Sequence, residues 1–157
     1  MMLIILTIIV ACYSVLTYQR NKVWRDELTL WGDVLQKSPH KARAYISIGA
    51  AYVKQGNLAQ ALSGYNKAIE MNPGYADIYY NRGIVYDKQG NFTMALSDYN
   101  KAIEINPADA DIYNNRAATY YQLKEYDKAW DDVRKIKGLG HAASPKLIGL
   151  LNKVSGK

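Results

Sequence analysis

Three prolines divide the middle of the sequence into units of equal length. They stand 34 residues apart, at Pro39, Pro73 and Pro107. Segments 42–75 and 76–109 are identical at 19 of 34 positions, and segment 110–143 matches 76–109 at 11 of 34 positions without a gap. A fixed period of this length indicates a solenoid, in which one supersecondary unit stacks on copies of itself. The sequence therefore predicts an extended surface rather than an enclosed catalytic pocket.

Each unit carries the pattern of two helices joined by a turn. In the first unit Tyr45, Gly49 and Tyr52 recur at helical spacing and form an apolar face. Gly56 follows that face and favours a turn, because glycine tolerates conformations that other residues avoid. A second helix is predicted from Leu58 to Met71, where an Asn-Pro pair ends it, since proline disfavours helical geometry in the residue before it.

Seven positions of the unit carry residues of similar type in all or most copies. These are Tyr45, Tyr79 and Tyr113; Gly49, Gly83 and Ala117; Tyr52, Tyr86 and Tyr120; Ala61, Ala95 and Ala129; Tyr65, Tyr99 and Val133; Ala68, Ala102 and Ile136; and Pro73, Pro107 and His141. This pattern resembles the tetratricopeptide repeat family. The resemblance implies an all-α fold, an α-solenoid of three helix-turn-helix repeats. The third unit departs from the pattern at its end, as a terminal repeat would.

Both ends of the solenoid are expected to be covered by helices. Residues 19–41 are predicted to hold a juxtamembrane segment and a capping helix with the apolar stripe Leu28, Trp31, Val34 and Leu35. Residues 144–157 are predicted to hold a C-terminal capping helix, because Ser144-Pro145 is a helix-start signal and the stripe Leu147, Ile148, Leu150 and Leu151 follows it. The predicted repeats are then 42–75, 76–109 and 110–143.

The first 18 residues carry no charged side chain. As a helix they would span ~27 Å, which is close to the thickness of a bilayer core. We therefore predict one transmembrane helix over residues 1–18 and a single-pass membrane protein. Two alternatives remain open: a cleaved secretory signal, and a lipid anchor on Cys12, since Ile9–Cys12 is similar to the lipoprotein cleavage motif. The lipid anchor would make the chain a lipoprotein assembly factor.

Two arguments about the membrane side of the repeats disagree. Arg20, Lys22 and Arg25 follow the apolar run, so the positive-inside rule favours the cytoplasm. Residues 20–52, however, resemble the junction between the last membrane helix and the tetratricopeptide repeats of polytopic proteins related to glycosyltransferases. That resemblance implies repeats outside the cytoplasm, and it implies that this chain is the C-terminal segment of such a protein. Both interpretations stay open.

The sequence offers no set of residues for catalysis or for a cofactor. His40 and His141 lie 101 residues apart in predicted connections, and no cysteine or acidic cluster stands at metal-ligand spacing. Asp131 and Asp132 are expected on a solvated helix face. We therefore predict no enzyme, no metal, no cofactor and no small-molecule substrate. The last third of the chain has nine basic and five acidic residues, but no recognition motif accompanies them, so nucleic acid is not an expected partner.

The expected partner is a protein or a peptide. The family resemblance implies that the first helix of each repeat lines a concave groove, in which asparagines hydrogen-bond an extended backbone. The eleven groove residues so implied are Arg43, Ile46, Ala50, Asp77, Tyr80, Asn81, Ile84, Asp111, Asn114, Asn115 and Ala118. Some family members grip a chaperone's C-terminal carboxylate with lysines and asparagines across three repeats. Asn81 fits that set, whereas Ile46, Ala50 and Asp111 occupy other sites of it, so we do not expect that ligand.

Overall fold

The computed structural model describes residues 13–14 and 26–154. Residues 26–154 form eight α-helices, and no strand occurs among the described residues. The helices are α1 (Glu27–Lys37), α2 (Ala42–Lys54), α3 (Leu58–Met71), α4 (Ala76–Lys88), α5 (Phe92–Ile105), α6 (Ala110–Gln122), α7 (Tyr126–Gly138) and α8 (Pro145–Val154). The predicted all-α architecture is confirmed, and the second helix of the first unit has the predicted bounds.

The helices pack as a row of antiparallel hairpins. The most extensive contacts join α2 to α3, α4 to α5 and α6 to α7, while α3 contacts α4 and α5 contacts α6. The first helices of successive hairpins also contact each other, α2 with α4 and α4 with α6. Helices that approach their counterparts in the next unit lie on the inner side of a curved stack. Consequently α2, α4 and α6 line the concave face, and α3, α5 and α7 form the outer layer.

The turns inside the hairpins depend on a left-handed backbone conformation. Gly56 and Gly90 have φ values of 76° and 74°, which glycine adopts without steric cost. The equivalent residue of the third hairpin is Lys124, with a φ of 61°. A side chain in this region costs roughly 1–2 kcal/mol. The third hairpin therefore keeps the shape of the other two at the expense of local strain.

A glycine in each of the first two hairpins lets a tyrosine lie flat between the helices. A Cβ atom built on Gly83 would stand 2.7 Å from Cε1 of Tyr99, which is fully buried. The same distance, 2.7 Å, separates a Cβ built on Gly49 from Cε1 of Tyr65. Real Cβ atoms do not approach so closely, so only glycine fits beside these rings. The glycine and the tyrosine that recur 16 residues apart in the sequence thus pack against each other in the structure.

A buried ionic network joins neighbouring hairpins. Arg82 of α4 donates from Nε to Oδ2 of Asp98 over 2.8 Å and from Nη2 to Oδ1 over 2.7 Å. Its Nη1 donates to Oδ1 of Asn66, on α3 of the previous hairpin, over 2.7 Å. Such bidentate pairs are among the stronger hydrogen bonds of proteins. The same network recurs one unit later, between Arg116, Asp132 and Asn100.

This network corrects one expectation from the sequence. Asp131 and Asp132 were both expected on a solvated face, and Asp131 is indeed exposed. Asp132 is instead 3% exposed, because it turns toward α6 and accepts hydrogen bonds from Nε and Nη2 of Arg116. Burial raises the pKa of Asp132, and the Arg116 guanidinium opposes that rise. Neighbours in a helix point about 100° apart, so one of them can be buried while the other is solvated.

The first hairpin has no Arg–Asp pair of its own, although Asn66 on its second helix accepts from Arg82 of the next hairpin. The positions equivalent to Asn66, Arg82 and Asp98 are held by Gly32, Ile48 and Gly64. A Cβ built on Gly64 would stand 3.1 Å from the carbonyl oxygen of Tyr45, so the backbones of α3 and α2 approach each other closely there. The two helices of each later hairpin are therefore joined by an Arg–Asp ion pair, and those of the first hairpin by close packing.

Helices cover both described ends of the stack. α1 packs on α2, its apolar stripe is half-buried, and Glu27 forms an ion pair with Lys54 over 2.7 Å. At the other end, Leu147 and Leu151 of α8 are buried in one cluster with Ala117 and Ala129. α8 thus continues the row in the position of a further inner helix.

The predicted membrane helix, residues 1–18, lies outside the described residues except for Tyr13 and Ser14. The same holds for most of the predicted juxtamembrane segment. Among the helices that the structure describes, none has both the length and the apolar character needed to cross a membrane.

Candidate functional site

All eleven residues predicted for the groove lie on the three inner helices, and none is fully buried. α2 contributes three of them, α4 four and α6 four. Arg43, Asp77 and Asp111, which stand in the first turns of these helices, are exposed, and the other eight are half-buried. The structure therefore brings these residues together on the concave face. That they bind a partner stays a prediction.

The asparagines of the groove are partly engaged within the protein. Asn115 donates from Nδ2 to the hydroxyl of Tyr80 over 2.7 Å, which ties α6 to α4. Asn81 donates from Nδ2 to the carbonyl oxygen of Asp77 on its own helix, also over 2.7 Å. Asn114 accepts from the backbone N–H of Ser144 over 3.1 Å. Each side chain keeps one half of its amide for a ligand: an acceptor on Asn81 and Asn115, and a donor on Asn114.

Acidic residues and burial perturb the hydroxyl of Tyr80. Its pKa is raised by burial first, then by the negative charges of Asp111 and Asp109, while the hydrogen bond from Asn115 acts in the opposite direction. Tyr80 therefore remains a neutral phenol at physiological pH. It can accept from Asn115 and still donate its own proton to a ligand in the groove.

A second polar contact in the groove joins repeats two and three. The Thr119 hydroxyl, which is fully buried, lies 2.9 Å from Oδ1 of Asp87 and 3.0 Å from the carbonyl oxygen of Asn115. Burial raises the pKa of Asp87, and the Thr119 hydroxyl partly opposes this. Sequence reasoning missed this pair because the equivalent positions in the other repeats are apolar, so no recurrent pattern marks it.

A cavity opens in the described groove between α6 and α8. It has a volume of about 310 Å³. Its apolar lining consists of Ala118, Tyr121, Leu147 and Leu150, and its polar lining of Asn114, Asn115, Gln122, Ser144 and Lys146. Three of these nine residues were predicted for the groove. The six that were missed come from the last turn of α6, from α8 and from Ser144, which directly precedes α8.

The role of α8 differs from the sequence-based expectation in one respect. Its apolar stripe was expected only to cover the end of the solenoid, and Leu147 and Leu151 do pack on the last repeat. Leu147 and Leu150 also face the cavity, so the capping helix builds a wall of the groove. Because α8 follows α6 at nearly one repeat period, the unbroken 34-residue spacing could have indicated this position.

The described residues show no arrangement for metal chemistry. Within residues 13–14 and 26–154, no group of three or more His, Cys, Asp or Glu side chains is placed to hold a metal ion. His40 and His141 are both exposed in connections between helices.

Comparisons with known proteins match the repeated part of the chain. A family model described as "Tetratricopeptide repeat" matches residues 76–109, another with the same description matches 98–131, and one described as "TPR repeat" matches 49–90. Together they span residues 49–131, just over half of the 157 residues. The resemblance of residues 20–52 to a membrane-to-repeat junction is not shown by these matches and stays a prediction. The search of curated proteins found no match.

Solved structures share the fold. "Crystal structure of MamA" superimposes with a TM-score of 0.71 at 22% identity, covering 82% of this chain and 77% of that chain. "First TPR of Spaghetti (RPAP3) bound to HSP90 peptide SRMEEVD" gives 0.68 at 27% identity, covering 74% of this chain and 91% of that chain. The 34-residue period, the stacked hairpins and the three family matches agree. This chain belongs to the tetratricopeptide repeat family.

Proposed function

We propose that the chain is a scaffold that holds a protein or peptide on its concave face and catalyses no reaction itself. The observation that carries this proposal is the groove formed by α2, α4, α6 and α8, which ends in the cavity of about 310 Å³. Half-buried apolar and amide side chains alternate along it, and three amides keep a free donor or acceptor. Such a surface suits an extended backbone, which needs hydrogen bonds at intervals and apolar sites between them.

A structural relative supports the choice of a peptide ligand. The first TPR of Spaghetti (RPAP3), 27% identical to this chain, is described as bound to the HSP90 peptide SRMEEVD. The groove of the present chain favours a different sequence, because Ile46 and Ala50 line its beginning and the acidic Asp111 lies further along. An acidic peptide end placed beside Asp111 would be repelled.

We also propose that the apolar run over residues 1–18 holds this scaffold at a membrane. The run is uncharged and long enough to span a bilayer core. With Arg20, Lys22 and Arg25 immediately after it, the charge rule favours repeats on the cytoplasmic side. The scaffold would then concentrate its partner at the membrane surface.

Site-specific photocrosslinking tests the groove. A benzophenone amino acid is introduced at Asn81, in the groove, and in a matched variant at Ser63, an exposed residue of the outer helix α3. We expect covalent adducts with a partner protein in cells from position 81 and none from position 63. Equal adducts from both positions, or adducts from 63 alone, would contradict binding on the concave face.

Alkaline extraction of membranes tests the anchor. Ile5→Lys combined with Ile9→Lys places two charges in the apolar run, and each costs about 2.5–3.5 kcal/mol within a spanning helix. We expect the unaltered chain in the membrane pellet and the double variant in the supernatant, with Thr7→Ser as the control. An unaltered chain that is extracted into the supernatant would refute the anchor and leave the groove untouched.

A further inference from the structure

The cavity between α6 and α8 has a mixed chemistry that defines its ligand more closely than the rest of the groove. From its lining we propose that it binds an extended peptide segment in which an aliphatic side chain stands next to an internal aspartate or glutamate. This inference rests on the proposed function and names the partner's chemistry. One wall of the cavity is α8, which lies beyond the family matches that end at residue 131.

The apolar half of the cavity fits one aliphatic side chain. Ala118 and Tyr121 face it from α6, and Leu147 and Leu150 face it from α8. A volume of about 310 Å³ is at the lower end of the range for ligand pockets, roughly 300–1,000 Å³. It therefore has room for a single branched side chain and the start of its neighbour.

The polar half of the cavity selects a negative charge. Lys146 is the only charged side chain among the described residues that line the cavity, and it forms no ion pair with any described residue. Nδ2 of Asn114 is free to donate, because the hydrogen bond with Ser144 uses Oδ1. An ammonium group and an amide donor beside each other complement a carboxylate, whereas a lysine or arginine of the ligand would be repelled.

The remaining amide indicates a peptide rather than a small organic acid. Oδ1 of Asn115 is free to accept, because its Nδ2 is bonded to Tyr80. Asn115 lies where the cavity opens toward α4, so a chain leaving the cavity passes this acceptor and continues along the groove. A backbone N–H of the ligand can bind there, which a free dicarboxylic acid could not supply.

A peptide array tests the proposed selectivity with the full chain. Each peptide is acetylated and amidated and carries one pair of adjacent variable residues in a fixed Gly/Ser frame, so that all pairs are covered. We expect enrichment of pairs that join Leu, Ile, Val or Met to Asp or Glu. In fluorescence anisotropy, changing the acidic residue of the best pair to its amide should weaken binding about tenfold, because one charge-assisted hydrogen bond is lost.

Two lysine variants assign that selectivity to the cavity. Lys146→Met keeps the length of an exposed side chain and removes its charge, and Lys153→Met does the same on the last turn of α8, outside the cavity. We expect Lys146→Met to bind the acidic peptide and its amide counterpart equally, and Lys153→Met to behave as the unaltered chain. Ala118→Leu, which fills the cavity, should abolish binding of both peptides.

Three results would overturn the inference: no enrichment of aliphatic–acidic pairs, unchanged discrimination in Lys146→Met, or binding only when the peptide has a free C-terminal carboxylate. The photocrosslinks from Asn81 separate this inference from the proposed function. If they persist while the peptides fail, the scaffold stands and the cavity assignment falls. If the peptides bind as expected while Asn81 yields no adducts, the cavity assignment stands and the partner does not extend along the groove to α4.

Discussion

Replacing Gly83 with alanine tests the packing that gives this solenoid its hairpins. The added Cβ would stand 2.7 Å from Cε1 and 2.9 Å from Cδ1 of Tyr99. Tyr99 is fully buried, so its ring cannot move into solvent to relieve the contact. Inserting one methyl group into a packed site of this kind costs about 1–3 kcal/mol.

Alanine also gains about 1 kcal/mol over glycine inside a helix, and this gain must be separated from the steric cost. Gly149 provides the control, because it lies in α8 and a Cβ built there meets no atom within 4 Å. We expect Gly149→Ala to raise the free energy of unfolding by about 0.5–1 kcal/mol. The free energy of unfolding of Gly83→Ala should be about 1–3 kcal/mol lower than that of Gly149→Ala, since both variants share the gain of alanine over glycine in a helix.

The third repeat supplies the compensating change, since the positions of Gly83 and Tyr99 are held there by Ala117 and Val133. When Tyr99 is already replaced by valine, adding Gly83→Ala should therefore raise the free energy of unfolding by as much as Gly149→Ala does in the natural chain. Urea unfolding followed by far-UV circular dichroism gives the four free energies of the double-mutant cycle, and the denaturant slopes show whether unfolding stays cooperative. A Gly83→Ala variant as stable as Gly149→Ala, or a cycle without coupling, would refute this reasoning.

Three further substitutions follow from the structure, each measured by urea unfolding. Lys124→Gly should stabilise the chain by about 0.5–1 kcal/mol, because it removes left-handed strain at the cost of a more flexible unfolded state; a loss of stability would contradict this. Arg82→Met should lower the free energy of unfolding by about 3–5 kcal/mol, since it leaves the Asp98 carboxylate buried without its partner. The control Lys101→Met removes an exposed ion pair with Glu104 and should lower it by under about 1 kcal/mol. Equal losses would contradict a role for burial. Burial raises the pKa of Asp87 above 3.8, so the contribution of this group to stability is greatest below that pH and falls as the pH rises through the raised pKa. The stability of Asp87→Asn relative to the natural chain should therefore increase from acid to neutral pH. A constant difference would refute the shift.

The sequence predicts the hairpins well because their determinants are local. The turn glycines, the Asn-Pro pairs and the helical spacing of the tyrosines recur with the period, and the predicted helix from Leu58 to Met71 has those bounds in the structure. The ionic network is different in kind. Arg82 and Asp98 lie 16 residues apart on separate helices, so no local pattern connects them.

The groove could be predicted only as far as the family pattern reaches. The pattern located eleven residues on the inner helices, but it gave no orientation for their side chains. Asn115 and Tyr80 bind each other across two repeats, and this depends on how far α4 and α6 approach. The sequence marks Lys146 only as one of the nine basic residues in the last third of the chain, because its position beside the cavity follows from the packing of α8.

The absence of the Arg–Asp–Asn network at Gly32, Ile48 and Gly64 has a mechanical consequence. In the second and third hairpins a bidentate Arg–Asp pair joins the two helices, whereas the two helices of the first hairpin are held by close packing. A pulling force applied to the amino-terminal side would then separate the two helices of the first hairpin before it separated those of the hairpins that hold an Arg–Asp pair. The cavity beside α8 would then keep its shape, and a ligand bound there would stay bound, while the amino-terminal part of the stack deforms.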